Sequence, residues 1–384
     1  MGKITVEKGD AIINIIIDRI QKALAANEVN ALVAMSPESI VWATGVHIPS
    51  QRMIRERMFF LIVPQQGEPL MVFSNVVEPT VKRHSWIPGY EKYREYYDIP
   101  IEFLVKTLKE KHLLTHKVWL EMDYLPANCY RVIAEAFPKV TFINCFEELN
   151  SLRVVKTPEE IALLQRLSRI AEQGMQYGCM ISRCGDTELQ VADAYTEGHV
   201  RLGLEGVPFR IMGVGPINSR QAFNEPSSQV IIEEGDLVYA DYAGLFQGYY
   251  SDTARMAVVG KPNKEQREIY RIVRNVQRGV ISRMRPGMTA GETYGIGAQL
   301  MEGYGHKLAA RSIGHSIGVT VHEHPNLVAG NREVLLSNSV INIELDLSLE
   351  GIGKFHLEDT TLLTEEGAYI LSDATNTEEM FSIR

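Results

Sequence analysis

Two pairs of carboxylates in the second half of the chain constrain its fold more than any other feature. Asp241 and Asp252 sit on either side of Leu245-Phe246-Gln247-Gly248, and both flanks read as apolar and aromatic strands of a hairpin. A turn centred on Phe246-Gln247 predicts that the two aspartates face each other directly. A turn centred on Gly351 does the same for Glu344, in Ile341-Asn342-Ile343-Glu344, and Glu358, in Phe355-His356-Leu357-Glu358-Asp359. Directly opposed residues have Cβ atoms ~5 Å apart, and like charges there are destabilising. One such pair can arise by chance. Two pairs point to a hard or borderline cation that offsets the repulsion and is held by oxygen and nitrogen ligands.

A nitrogen candidate lies between the pairs. The run Gly314-His315-Ser316-Ile317-Gly318-Val319-Thr320-Val321-His322-Glu323-His324 carries three of the ten histidines. Taken singly, a strand Asp is an edge or turn residue and a His is a hydrogen-bonded core or surface residue. As a set, two Asp, two Glu and one His suit a site for two metal ions bridged by carboxylates.

These residues resemble the pattern of the pita-bread metallohydrolases, the family of Xaa-Pro dipeptidase (prolidase), Xaa-Pro aminopeptidase, methionine aminopeptidase and creatinase. The matching elements are Asp241, then Ser251-Asp252-Thr253-Ala254-Arg255, Gly314-His315-Ser316-Ile317-Gly318, Val321-His322-Glu323, Glu344, and Leu357-Glu358-Asp359-Thr360. Leu152-Arg153-Val154-Val155-Lys156-Thr157-Pro158-Glu159-Glu160 resembles the start of the catalytic domain in two-domain members, so the likeness covers essentially the whole chain. It implies an α/β N-terminal domain over residues 1–150 and an α+β pita-bread catalytic domain with pseudo-twofold symmetry over 151–384. It also implies metal ligands. Asp241 would chelate one ion, His315 and Glu344 would hold the other, and Asp252 and Glu358 would bridge. The cofactors would be two divalent ions, Mn, Zn, Co or Fe, because the mixed O/N set does not choose among them. A bridging hydroxide would attack the scissile amide, Glu344 would shuttle the proton, and His322 would stabilise the oxyanion.

Three departures from the proline enzymes bear on substrate. Asn224 stands where they carry a His twelve residues before the Asp of the Glu234-Gly235-Asp236 turn. His356 stands in place of an Arg two residues before the last Glu, and Leu345-Asp346 follows the first Glu in place of Pro-Gly. His356 alternates with Glu358 and so faces the same side of the strand, where it could take a substrate carboxylate. Asn224 and Arg220 are the other candidate substrate contacts. Arg255 reads as a carboxylate anchor or as a partner of Asp252.

The first 150 residues alternate helix and strand, with helices near 10–26, 101–111 and 127–137 and strands near 31–35, 59–63, 70–73, 118–122 and 140–143. No phosphate loop or catalytic constellation appears there. Thr157-Pro158-Glu159-Glu160 is a helix start, a second helix begins near Thr187, and a Gly-punctuated, strand-rich region runs from Val207 to Ala257. Helices over 264–284 and 290–303 and more strands follow, so helices-then-strands occurs twice, with one carboxylate pair in each half.

A net charge of −9 argues against a nucleic-acid surface. The cluster Arg52, Arg55 and Arg57 reads as a solvated loop face. Four cysteines without CxxC spacing, no apolar run of ~18 residues and no signal-peptide core predict a cytoplasmic protein with free thiols and no membrane contact. The resemblance adds a homodimer. The leading function is Xaa-Pro dipeptidase- or aminopeptidase-type cleavage of a short peptide. The alternatives are a creatinase-like C–N hydrolase acting on a small-molecule amide, and a silent binding module on the same fold.

Overall fold

The computed structural model describes residues 10–215, 225–308 and 310–384, with side chains from residue 15 onward in the first helix. It divides into two compact units, Met1–Arg153 and Val154–Arg384, each with its own core.

The first unit is an α/β layer around one six-stranded sheet. Its elements are α1 (Asp10–Ala26), β1 (Ala31–Ala34), α2 (Pro37–Thr44), α3 (Pro49–Met53), β2 (Phe60–Pro64), β3 (Leu70–Ser74), α4 (Glu78–His84), β4 (Gly89–Tyr93), α5 (Pro100–Glu110), β5 (Lys117–Leu120), α6 (Ala127–Ala136), β6 (Thr141–Asn144) and α7 (Phe146–Val154). The sheet order is β4-β3-β2-β1-β5-β6. β1 pairs antiparallel with β2 and parallel with β5. The apolar runs become strands buried on both faces. Helices α2, α3 and α4 are too short to show periodicity in the sequence, although Ser36 caps α2 and Gly45, at φ +68°, ends it. The basic cluster is less solvated than its composition predicts. Arg57 forks onto buried Glu95 at 2.6 and 2.9 Å, and Arg52 meets Glu38 at 2.6 Å.

The second unit repeats a motif. Helices α8 (Pro158–Ile181) and α9 (Glu188–Leu202) lead into β7 (Gly206–Val214), β8 (Leu237–Phe246) and β9 (Tyr249–Val259). Helices α10 (Lys264–Ile281) and α11 (Ala290–Gly303) then lead into β10 (Ser312–Ser316), β11 (Glu323–Val328), β12 (Ser339–Leu349), β13 (Gly353–Thr364) and β14 (Gly367–Ile370), with β15 (Phe381–Ile383) last. Each of these four helices opens with a capping box, built on Thr157/Glu160, Thr187/Gln190, Asn263/Gln266 and Thr289/Glu292. Each box satisfies two otherwise orphaned backbone donors. One sheet runs β15-β9-β8-β7 and the other β11-β10-β12-β13-β14. They meet along β9 and β13, where Arg255 donates to the Glu358 carbonyl and Asn342 Nδ2 reaches the Asp252 carbonyl at 3.4 Å.

The predicted register of the first carboxylate pair needs correction. Gln247 and Gly248, at φ +49° and +83°, form the two central residues of the hairpin turn, and Phe246 pairs with Tyr249. Two positive φ values suit the twist of a two-residue hairpin, and Gly supplies one of them without strain. The turn centre therefore lies one residue later than expected. Asp241 faces Ala254, and Asp252 faces Ala243. A register shift of two keeps both aspartates on one face, so they are diagonal neighbours. In the second hairpin Glu344 faces Glu358 directly, around Gly351 at φ +78°.

Gly314 brings β10 close enough for His315 to join that face. A Cβ at Gly314 would lie 2.0 Å from the Asn342 carbonyl oxygen of β12. Backbone of a central strand cannot yield without breaking its ladder. Gly314→Ala is expected to cost on the order of 2 kcal/mol or more in urea unfolding, whereas Gly330→Ala, at an open turn with positive φ, should cost about 1.

Candidate metal centre

Five of the predicted site residues converge where the two sheets meet. Asp241 comes from β8, Asp252 from β9, His315 from β10, Glu344 from β12 and Glu358 from β13. His315 Nε2 lies 3.7 Å from Asp252 Oδ2 and 3.8 Å from Glu358 Oε1. One potential ligand atom from each of His315, Glu344 and Glu358 lies within 4.8 Å of the others, as do those of Asp252, His315 and His322. Asp241, Asp252 and Glu344 open onto a cavity of about 560 Å³ lined also by Tyr239, Arg311, Asp346, Lys354 and His356. Arg220 and Asn224 lie outside the described residues.

Asp252, His315 and Glu358 are 3%, 1% and 1% exposed, a burial at which uncompensated charge is costly. Burial, and then the neighbouring carboxylates, hold the carboxyls of Asp252 and Glu358 well above the usual range. Burial lifts Glu344 to about 7; His356 opposes that rise while Asp241 and Asp346 add to it. Burial, followed by His322, lowers His315 to about 3, so its imidazole is neutral. Neutral imidazole is the form that binds metal. His315 Nδ1 lies 3.1 Å from the Ser316 carbonyl, which can only accept. The proton is thereby fixed on Nδ1 and the Nε2 lone pair faces the carboxylates. His322 stacks on this ring with centroids 3.8 Å apart.

The donor set fits divalent cations by its own chemistry. Asp252 Oδ1 is buried without a hydrogen-bond partner, and so are both ring nitrogens of His356. Buried polar atoms are otherwise almost always paired. Oxygen-rich sites with one or two imidazoles suit Mn, Fe, Co or Zn.

Three sets of supporting residues went unread in the sequence. Asn342, two positions before Glu344 and on the same strand face, donates to Glu358 Oε1 at 2.8 Å. Arg255 does not reach the Asp252 carboxylate. It pairs with Glu172 of α8 and with Asp359 at 2.7 Å, all nearly fully buried. Glu172 also accepts from Ala374 N and Thr375 Oγ1. Lys156 Nζ meets Glu323 Oε2 at 2.6 Å, and Glu323 Oε1 accepts from Val319 N, shaping the turn before His322. Asn342 alone had a signal available, its alternation with Glu344.

Comparison with known proteins places both units in a known family. The family model for Metallopeptidase family M24 matches residues 162–365, and that for the Creatinase/Prolidase N-terminal domain matches residues 16–155. The chain belongs to metallopeptidase family M24. It is a hydrolase, and its family implies use of divalent metal. An Xaa-Pro dipeptidase of Lactobacillus helveticus is 27% identical over 355 residues, covering 91% of this chain and 95% of the relative. An Xaa-Pro dipeptidase of Pyrococcus furiosus is 34% identical over 222 residues, covering 57% of this chain and 63% of the relative. The solved structure of an Xaa-Pro dipeptidase from Bacillus anthracis superposes with a TM-score of 0.84 at 22% identity, covering 97% of this chain and all of that one. The α/β unit followed by a two-halved α+β unit is thus the pita-bread architecture of this family. No helix among the described residues is long and apolar enough to cross a membrane.

The shifted carboxyls make the metal-free protein pH-sensitive. Glu344 has a folded pKa of about 7, above its unfolded value, so the folded state binds more protons than the unfolded state between about pH 4.5 and 7. Unfolding free energy therefore falls as pH rises through that window, and Asp252 and Glu358 act in the same direction. Chelator-treated protein is expected to lose several degrees of thermal midpoint from pH 4.5 to 7 relative to Glu344→Gln, as measured by scanning calorimetry.

Proposed function

We propose that this chain uses two divalent cations to hydrolyse the Xaa-Pro amide bond of dipeptides or short peptides. The observation that carries the reading is the convergence of Asp241, Asp252, His315, Glu344 and Glu358, with Asp241, Asp252 and Glu344 lining a cavity of about 560 Å³. By family likeness Asp241 would hold one cation, His315 and Glu344 the other, and Asp252 and Glu358 both; Mn, Zn, Co and Fe all suit the set. Such a pair of cations, when bound, would lower the pKa of a shared water and polarise the scissile carbonyl. Residues 151–384 would form the catalytic domain and 1–150 the N-terminal domain. A cytoplasmic homodimer belongs to the same reading.

The chain's own residues have separate tasks in this scheme. Glu344, with a carboxyl near neutrality, is suited to take the proton of the attacking water and pass it to the leaving nitrogen. His322 lies at the cavity wall, with its pKa lowered by burial, and its neutral ring offers one N–H to the developing oxyanion. Lys354, 3.5 Å from Asp346, and Arg311 supply cationic groups along the wall for the carboxylate of a short substrate. His356 was read from the sequence as another such contact; its surroundings support a different role, argued below.

A second reading, a C–N hydrolase for a small non-peptide compound, is favoured by the diagonal pair Asp346 and Lys354, 3.5 Å apart on the cavity wall, which could hold a substrate bearing both charges. Protein reconstituted with Mn²⁺ or Co²⁺ is expected to cleave Ala-Pro, Leu-Pro and Gly-Pro. Glu358→Ala should reduce turnover on the order of 10³-fold or more, the loss of several kcal/mol of transition-state stabilisation. Peptides extended by one or two residues will fix the length preference. Turnover of amidino or cyclic-amide compounds in place of the dipeptides would contradict the proline reading and favour the second.

A further inference from the structure

His356 is the one histidine among the described residues with both ring nitrogens buried and without a hydrogen-bond partner. The contrast with His199 is informative. That ring is also buried, but its Nδ1 lies 2.6 Å from the Tyr195 carbonyl and it stacks on Tyr242. His199 is an ordinary core histidine, held by its own helix. His356 has no such anchor for its ring.

Its neighbours are ligand-type groups on three strands. Asp241 and Tyr239 face it from β8, Glu344 and Asp346 from β12, and Lys354 and Glu358 flank it on β13. Nε2 stands 3.6 Å from Asp241 Oδ2. That is too long for a hydrogen bond. It matches the 3.7 and 3.8 Å that separate His315 Nε2 from Asp252 and Glu358. Two ligand atoms each ~2.1 Å from one ion, at angles between tetrahedral and ~120°, stand ~3.4–3.6 Å apart. One atom each from Asp241, His356 and Glu358 lies within 4.8 Å of the others, a grouping parallel to that of His315, Glu344 and Glu358.

We propose that His356 is a sixth metal ligand, which completes the Asp241 side of the centre with nitrogen as His315 completes the other. This rests on the reading of the site as a metal centre and deepens it. Each cation then has one imidazole and a set of carboxylates. The substrate carboxylate is left to other groups on the wall. A site with imidazole favours Co, Zn or Fe, whereas an all-carboxylate site favours Mn. His356 thereby biases the Asp241 side away from Mn.

The test uses the full chain, stripped with chelator and titrated with Co²⁺ alone or Mn²⁺ alone. The Co²⁺-loaded wild type is expected to show hyperfine-shifted imidazole proton resonances from His315 and a second set. That second set should vanish in His356→Gln and persist in His322→Asn. By calorimetry, His356→Gln should weaken Co²⁺ binding at one site about tenfold or more and weaken Mn²⁺ binding by less. His356→Asn serves in its place should His356→Gln not fold. Unchanged Co²⁺ affinity and an unchanged set of shifted resonances in a folded variant would overturn the assignment and leave the metal centre standing. A wild type that binds neither cation would overturn the assignment together with the reading on which it rests.

Discussion

Carboxylate repulsion at the seam of two sheets is the constraint around which the second unit is built. Asp252 and Glu358 are almost completely buried within reach of Asp241 and Glu344. Ionised together without a counter-charge they would destabilise the fold, and protonated together they would hold no metal. A divalent cation resolves the conflict, because its charge favours the ionised forms and its coordination sphere takes the oxygen atoms left without partners. His315 and His356 each stand 3.6 to 3.8 Å from the nearest carboxylate oxygens, beyond hydrogen-bond length.

Holding that repulsion in place requires rigid supports, and the supports are themselves charged. Arg255 lies between Glu172 and Asp359, with Arg278 reaching the other Asp359 oxygen at 3.3 Å. The network ties α8 and α10 to the middles of β9 and β13, beside Asp252 and Glu358. A buried ion pair adds little net stability compared with apolar packing, but removal of one partner strands the other. Such pairs suit a site whose ligands must keep their spacing. Lys156 and Glu323 do the same for the turn that carries His322.

Much of this was legible in the sequence because the relevant signals are local. The capping residues Thr157 and Thr289, the apolar strands of the first unit and the Gly351 hairpin each depend on a few neighbouring residues, and each is found as read. The first hairpin was read one residue early because Gln247, a non-glycine residue, takes up a positive φ beside Gly248. The aspartates still share a face, since the error in register was even. Glu172, Lys156 and the anchoring of Arg255 could not be read, because their partners lie 83 to 203 positions away. The chemistry of His356 was half legible. Strand alternation placed it on the site face, but only the three-dimensional arrangement shows Asp241 beside it.

Anomalous diffraction from crystals grown with Co²⁺, recorded on either side of the cobalt edge, tests the central claim most directly. Two peaks are predicted where the sheets meet, one bounded by Asp241, Asp252 and Glu358, the other by Asp252, His315, Glu344 and Glu358. Water or lysine nitrogen among these carboxylates, with no anomalous density there in protein that binds cobalt elsewhere, would contradict it.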